Sequence, residues 1–277
     1  MSLTAQIDAA LAGVMGAALP QDLTEALREL ELAEDTAPVR RTLLARYLQL
    51  DANHRLDPDC QMRWLLLRGL QPVALPEDAP LLTRITRGFE PGSLGERAHG
   101  LRSAALVVLL EVDRDAAGVQ AVEVLAAGGH HAETGEPALT AVRVLGACGA
   151  EHLLYAITAF DWPVVPPVAR AEALGFLGDQ PRARLDAMIN ALLESGHPVL
   201  ATGVVDLALA RRVEWLDERF LDLMRTTSEL DLFRYGTASA VARRRGDLLA
   251  RLADGSIRAG SPKEKLLAEV QAEISPG

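Results

Sequence analysis

Turn signals recur roughly every 12 to 20 residues along the whole chain, and so short a period marks an array of small repeated units rather than one large sheet. The segments between the turns read as helices over 3–18, 22–34, 38–50, 58–70, 77–88, 94–112, 115–127 and 137–148. The series continues over 150–160, 166–178, 181–195, 198–211, 213–226, 229–245, 247–253 and 262–274. Small polar residues mark several starts: Thr36 before Pro38, Asp57 before Pro58, Ser93, Asp179 before Pro181, and Ser261 before Pro262. Such a side chain accepts a hydrogen bond from an orphan first-turn N–H, and proline there forfeits no intrahelical bond. Ser261, Pro262 and Glu264 form the fullest start, with Glu264 placed to close a capping box.

Composition agrees with this reading. Hydrophobic residues make up 49% of the chain and aromatics only 4%, so the core must be built from Ala, Leu and Val. Ala and Leu are the strongest apolar helix formers, and the β-branched and aromatic runs of a sheet protein are scarce. The expected fold class is all-α. The apolar stretch 9–19 has no Lys or Arg before it and is interrupted by Asp8, so it reads as a first amphipathic helix rather than a signal segment. No segment reaches the roughly 18 uninterrupted apolar residues of a membrane span.

The repeat shows when proline-led helices are aligned. Pro137, Pro167 and Pro198 lie 30 and 31 residues apart, about one helical pair. After Pro38, Val39, Leu43, Tyr47 and Leu50 fall on one face; after Pro167, so do Val168, Ala171, Leu174 and Gly178. The stretch Ala169 to Asp179, ARAEALGFLGD, resembles the second helix and following turn of HEAT-type and phycobilisome-lyase-type HEAT-like repeats. Asp35, Pro38, Val39 and Arg40 match the acidic turn, proline and Val-Arg start of the same motif. The Pro137 unit keeps Leu145, Gly146 and Gly149 without the arginine, and the Pro198 unit is weaker. The resemblance implies a HEAT-like α-α superhelical solenoid of about six to eight helical pairs. One elongated domain over 1–277 is expected, with capping helices at 1–36 and 246–277 around repeats at 37–245. Arg40 and Arg170 match positions where such repeats tie neighbours together through acidic turns. Gly146, Gly175 and Gly203 sit on or beside apolar stripes, where a missing Cβ lets another helix approach.

Candidate sites are few. His130, His131 and Glu133, and separately His54, Asp57, Asp59 and Cys60, hold metal-ligand residue types. The first group reads more simply as a Gly-rich loop. In the second, Asp57 reads as a helix cap and Asp59 as a first-turn acid. Cys60 and Cys148 form no Cys-x-x-Cys pair and read as reduced, buried thiols. Trp162, close to Tyr155 and Phe160 and followed by Pro163, Pro166 and Pro167, reads first as a plug between helical pairs. Its alternative role is a pre-ordered binding anchor. Arg243, Arg244 and Arg245 complement a helix C-terminus.

No catalytic, metal or cofactor motif emerges. The net charge of −10, with Lys263 and Lys265 the only lysines, disfavours nucleic acid. The expected function is a non-enzymatic, cytoplasmic protein-interaction scaffold, binding a protein partner on a concave face through Trp162, Arg143, Arg170 and Arg243. The alternatives are a HEAT-like lyase or base-removing glycosylase, and a ligand-binding regulatory subunit.

Overall fold

The computed structural model describes residues 3–274 except 32, 93, 94, 161, 255, 256 and 259, so the helix start expected at Ser93 lies outside the described residues. Helix makes up 74% of the described residues, with sixteen α-helices among them, and the protein is all-α. Among the described residues the one extended pairing joins β1 (Pro91–Gly92) to β2 (Gly95–Glu96), antiparallel, with Pro91 opposite Glu96. The chain divides into two compact units, Met1–Ala150 and Glu151–Gly277.

The first unit holds α1 (Leu3–Gly16), α2 (Pro20–Leu30), α3 (Thr36–Asp51), α4 (Gln61–Leu70), α5 (Ala79–Thr86), α6 (His99–Val112), α7 (Arg114–Ala127) and α8 (Ala138–Ala147). Helices pack as consecutive pairs, and the second helices α2, α4, α6 and α8 also lie side by side. The second unit holds α9 (Glu151–Ala159), α10 (Pro167–Leu174), α11 (Arg182–Glu194), α12 (Pro198–Ala210), α13 (Glu214–Thr226), α14 (Leu230–Ala242), α15 (Gly246–Ala253) and α16 (Pro262–Ile274). Its second helices, α10, α12, α14 and α16, again form a row.

Local chemistry explains where the helices start and stop. Asp35, not Thr36, caps α3 by accepting from the Ala37 N–H at 3.1 Å. Helix α4 begins at Gln61 rather than at 58 because Cys60 adopts φ 59°, a left-handed conformation no α-helix propagates. Asp57 still serves this start, its two oxygens accepting from the N–H groups of Met62 and Arg63. Helix α6 starts at His99, not 94, because the β1–β2 hairpin occupies that stretch. Helix α10 stops at Leu174, short of 178, where tighter turns follow. The stretch expected to run helical to 245 ends at Ala242, before Arg244 at φ 57°. At α16 the capping box is shifted by one residue: the Glu264 N–H donates to Ser261 Oγ, while its carboxylate accepts from the Gly260 N–H at 2.6 Å.

The stripe Val39, Leu43, Tyr47 and Leu50 is buried. The α10 stripe is rotated from expectation, with Ala169, Arg170, Ala173 and Leu174 facing inward. Gly203 is a close-packing glycine, since a Cβ there would lie 2.8 Å from Ala171 Cα. Gly175 is not: it is exposed, and a Cβ would meet only the Glu172 carbonyl of its own helix, at 3.3 Å. Cys60 is buried, whereas Cys148 is half-buried at the end of α8 with its thiol 3.4 Å from the Arg114 carbonyl. No described helix is long and apolar enough to cross a membrane.

Candidate functional site

In the second unit the close approach of α10 and α12 at Gly203 and Ala171 forms the floor of a groove along the second helices. A cleft of about 390 Å³ is lined by Glu172 on α10, Phe176 just after it, Asp206 on α12 and Arg243 at the end of α14. A larger cleft of about 960 Å³ is lined by Leu193, Leu223, Leu232, Glu229, Asp231 and Tyr235. Both clefts include Val199 and Thr202, so they meet over α12. Asp206 joins two parts of this face. It accepts from the Tyr235 hydroxyl at 2.6 Å and from Arg243 Nη2 at 2.9 Å. Burial, and then the bond to Asp206, push the Tyr235 phenol above its ordinary range. Glu229 and Asp231 flank the start of α14, where its N-terminal dipole favours negative charge. Among the described residues neither carboxylate has a cation in ion-pair reach.

The residues expected to bind a partner are dispersed. Arg243 lines the groove. Arg170 is buried, with Nη2 donating to the Thr158 carbonyl at 3.2 Å, and so ties α10 to α9. Arg40 does reach an acidic turn: its Nε donates to Asp78 at 2.8 Å and Nη1 meets Glu77 at 2.7 Å. Arg143 is exposed on α8 of the first unit. Trp162 is 43% exposed, beside Phe160 at 62% and Val164 at 43%. It is therefore not the plug between helical pairs that sequence favoured. The three arginines 243–245 part ways, Arg245 being buried against Asp217 at 2.7 Å and Asp247 at 3.1 Å.

In the first unit Asp57 and Cys60, grouped in the sequence reading, join Arg63 and Glu90, which it did not single out, in a buried polar cluster. Arg63 on α4 is fully buried. Its Nε donates to Asp57 at 3.0 Å and its two terminal nitrogens reach the two oxygens of Glu90. Nη2 also lies 3.3 Å from Cys60 Sγ. Burial raises the Cys60 thiol to about 12, so it is a poor nucleophile. Burial alone would raise Glu90, but Arg63 outweighs it and holds the carboxyl below its ordinary range. Arg102 on α6 makes a parallel pair with Glu96 at 2.9 Å. For Arg63 itself the signal available in sequence was an arginine placed within a run of leucines, MRWLLLRGL.

Among the described residues no three His, Cys, Asp or Glu side chains are grouped to hold a metal ion. The ring centroids of His99 and His131 lie 4.6 Å apart with their planes tilted by 33°. No family model, curated protein or solved structure matches this chain.

Proposed function

We propose that this chain is a protein-interaction scaffold of HEAT-like helical pairs, a solenoid arrangement within each unit, that binds its partner along the row of second helices. The observation that carries the reading is a pair of clefts sharing Val199 and Thr202 on α12, the smaller lined from α10 and α12 with Arg243 after α14, the larger from α12 and α14 and reaching Leu193 on α11 and Leu223 on α13. Stacked pairs present such a surface with no additional element to fold. The lining mixes apolar walls with polar side chains, as protein-binding surfaces do. Arg243 belongs to this surface, and Trp162 adds an exposed aromatic on the α9–α10 loop of the same unit. Two free thiols suit a reducing compartment, and the cytoplasm is the proposed setting.

The test is site-directed photo-crosslinking in cells that express the protein naturally. With p-benzoylphenylalanine at Thr202, in the groove, a covalent adduct with a defined protein is expected. At Glu214, exposed at the opposite end of α13 and outside both clefts, none is expected. Adducts from position 214 alone, or equally from both, would refute the assignment of the second-helix face.

A further inference from the structure

Resting on that reading, we infer that the groove of the second unit takes a cationic, apolar-studded segment of a partner protein, with Lys or Arg beside Glu229 and Asp231 and an apolar side chain in the α12–α14 cleft. Charge selects this occupant. The larger cleft is lined by two acids, Glu229 and Asp231, by no Arg or Lys, and by one imidazole, His197, while Asp206 in the smaller cleft faces Arg243. Arg243 already pairs with Asp206, so the larger cleft is left with the negative charge of Glu229 and Asp231. Within this cleft of about 960 Å³, Leu193, Val199, Leu223 and Leu232 supply the apolar wall. A long basic side chain fits such a lining on both counts, its methylene stem against leucine and its head at the carboxylates. An acidic segment would meet like charge, and a small neutral ligand would leave both carboxylates without a partner. The net charge of −10 favours the encounter with a basic partner.

The full chain is titrated, near physiological ionic strength, with three labelled peptides: alternating Lys and Leu, alternating Glu and Leu, and alternating Lys and Ser. The Lys–Leu peptide is expected to bind and to protect amides in 196–202 and 226–235 from hydrogen exchange. Glu229→Gln together with Asp231→Asn should weaken it roughly tenfold. Glu214→Gln, an exposed acid outside both clefts, should leave affinity unchanged. Val199→Arg should abolish binding while circular dichroism confirms the fold. Equal loss from Glu214→Gln, equally tight binding of the Lys–Ser peptide, or no protection of the two segments by Lys–Leu would overturn the inference. Protection by the Glu–Leu peptide alone would overturn the cationic occupant and leave the binding-face reading standing. Failure of all three peptides, together with photo-crosslinks from position 214 only, would overturn both.

Discussion

Arg63 and Glu90, 27 residues apart, are joined by a fork: Nη1 donates to Oε1 at 2.5 Å and Nη2 to Oε2 at 2.9 Å. Glu90 immediately precedes β1, and Glu96, paired with Arg102, ends β2. Two arginines buried in neighbouring helices α4 and α6 therefore hold both ends of the hairpin. Planar guanidinium suits this role because its donors match a carboxylate in two places and keep their charge when buried.

Removing Arg63 would leave the Asp57 and Glu90 carboxylates without their shared cation. Arg63→Met is expected to destabilise the first unit by about 3 to 5 kcal/mol, while adding Glu90→Leu recovers part of the loss. Urea melts read by intrinsic fluorescence decide this. A loss below about 1 kcal/mol for the single variant would mean that the pair is incidental.

Acid should weaken the same cluster. The folded-state value of Glu90 lies below its ordinary 4.5, held down by Arg63 against the opposing effect of burial. Its contribution is thus fully present above that ordinary value and is lost as pH falls through the lowered one. Glu96, raised by burial, acts in the opposite sense. Stability measured against pH should fall less steeply on the acid side in Glu90→Gln than in the wild type. Parallel curves would show that Glu90 carries none of the acid sensitivity.

Gly203→Ala would place a Cβ 2.8 Å from the Ala171 backbone. Overpacking of that kind should cost about 1 to 3 kcal/mol despite alanine's better helix propensity. Gly175→Ala, at an exposed helix end, should stay within about 0.5 kcal/mol of wild type. Thermal melts of the two variants should separate clearly, and equal effects would contradict the close-approach account.

Trp162→Ala should change stability by less than about 1 kcal/mol, because 43% of the residue is exposed. A fully buried aromatic would cost about 3 to 5 kcal/mol. Chemical denaturation distinguishes these, and a large loss would return Trp162 to the interior.

Duplex DNA should not bind with sub-micromolar affinity near physiological salt, since the net charge is −10. The arginine triplet offers no joint patch: Arg243 is engaged by Asp206, and Arg245 is buried with Asp217 and Asp247. A mobility shift in that range would contradict this.

The sequence by itself determined the helical class and where most helices lie, because propensity, proline and capping act over a few residues. Helix α12, read as 198–211 and found as Pro198–Ala210, shows how local those signals are. They were weaker wherever a non-helical turn intruded, as at Cys60 and in the hairpin that delayed α6. Only tertiary structure decided which charges meet. Arg63 finds Glu90, and Asp206 finds both Tyr235 and Arg243, through the return of the chain, which no local pattern records. The same holds for the groove. Val199 and Thr202 are ordinary helix residues in sequence, and become shared walls of two clefts only once α10, α12 and α14 lie side by side. Exposure of Trp162 was likewise a question of packing, because an aromatic on a proline-rich turn is chemically suited to either side, and the fold of the surrounding helices selects one.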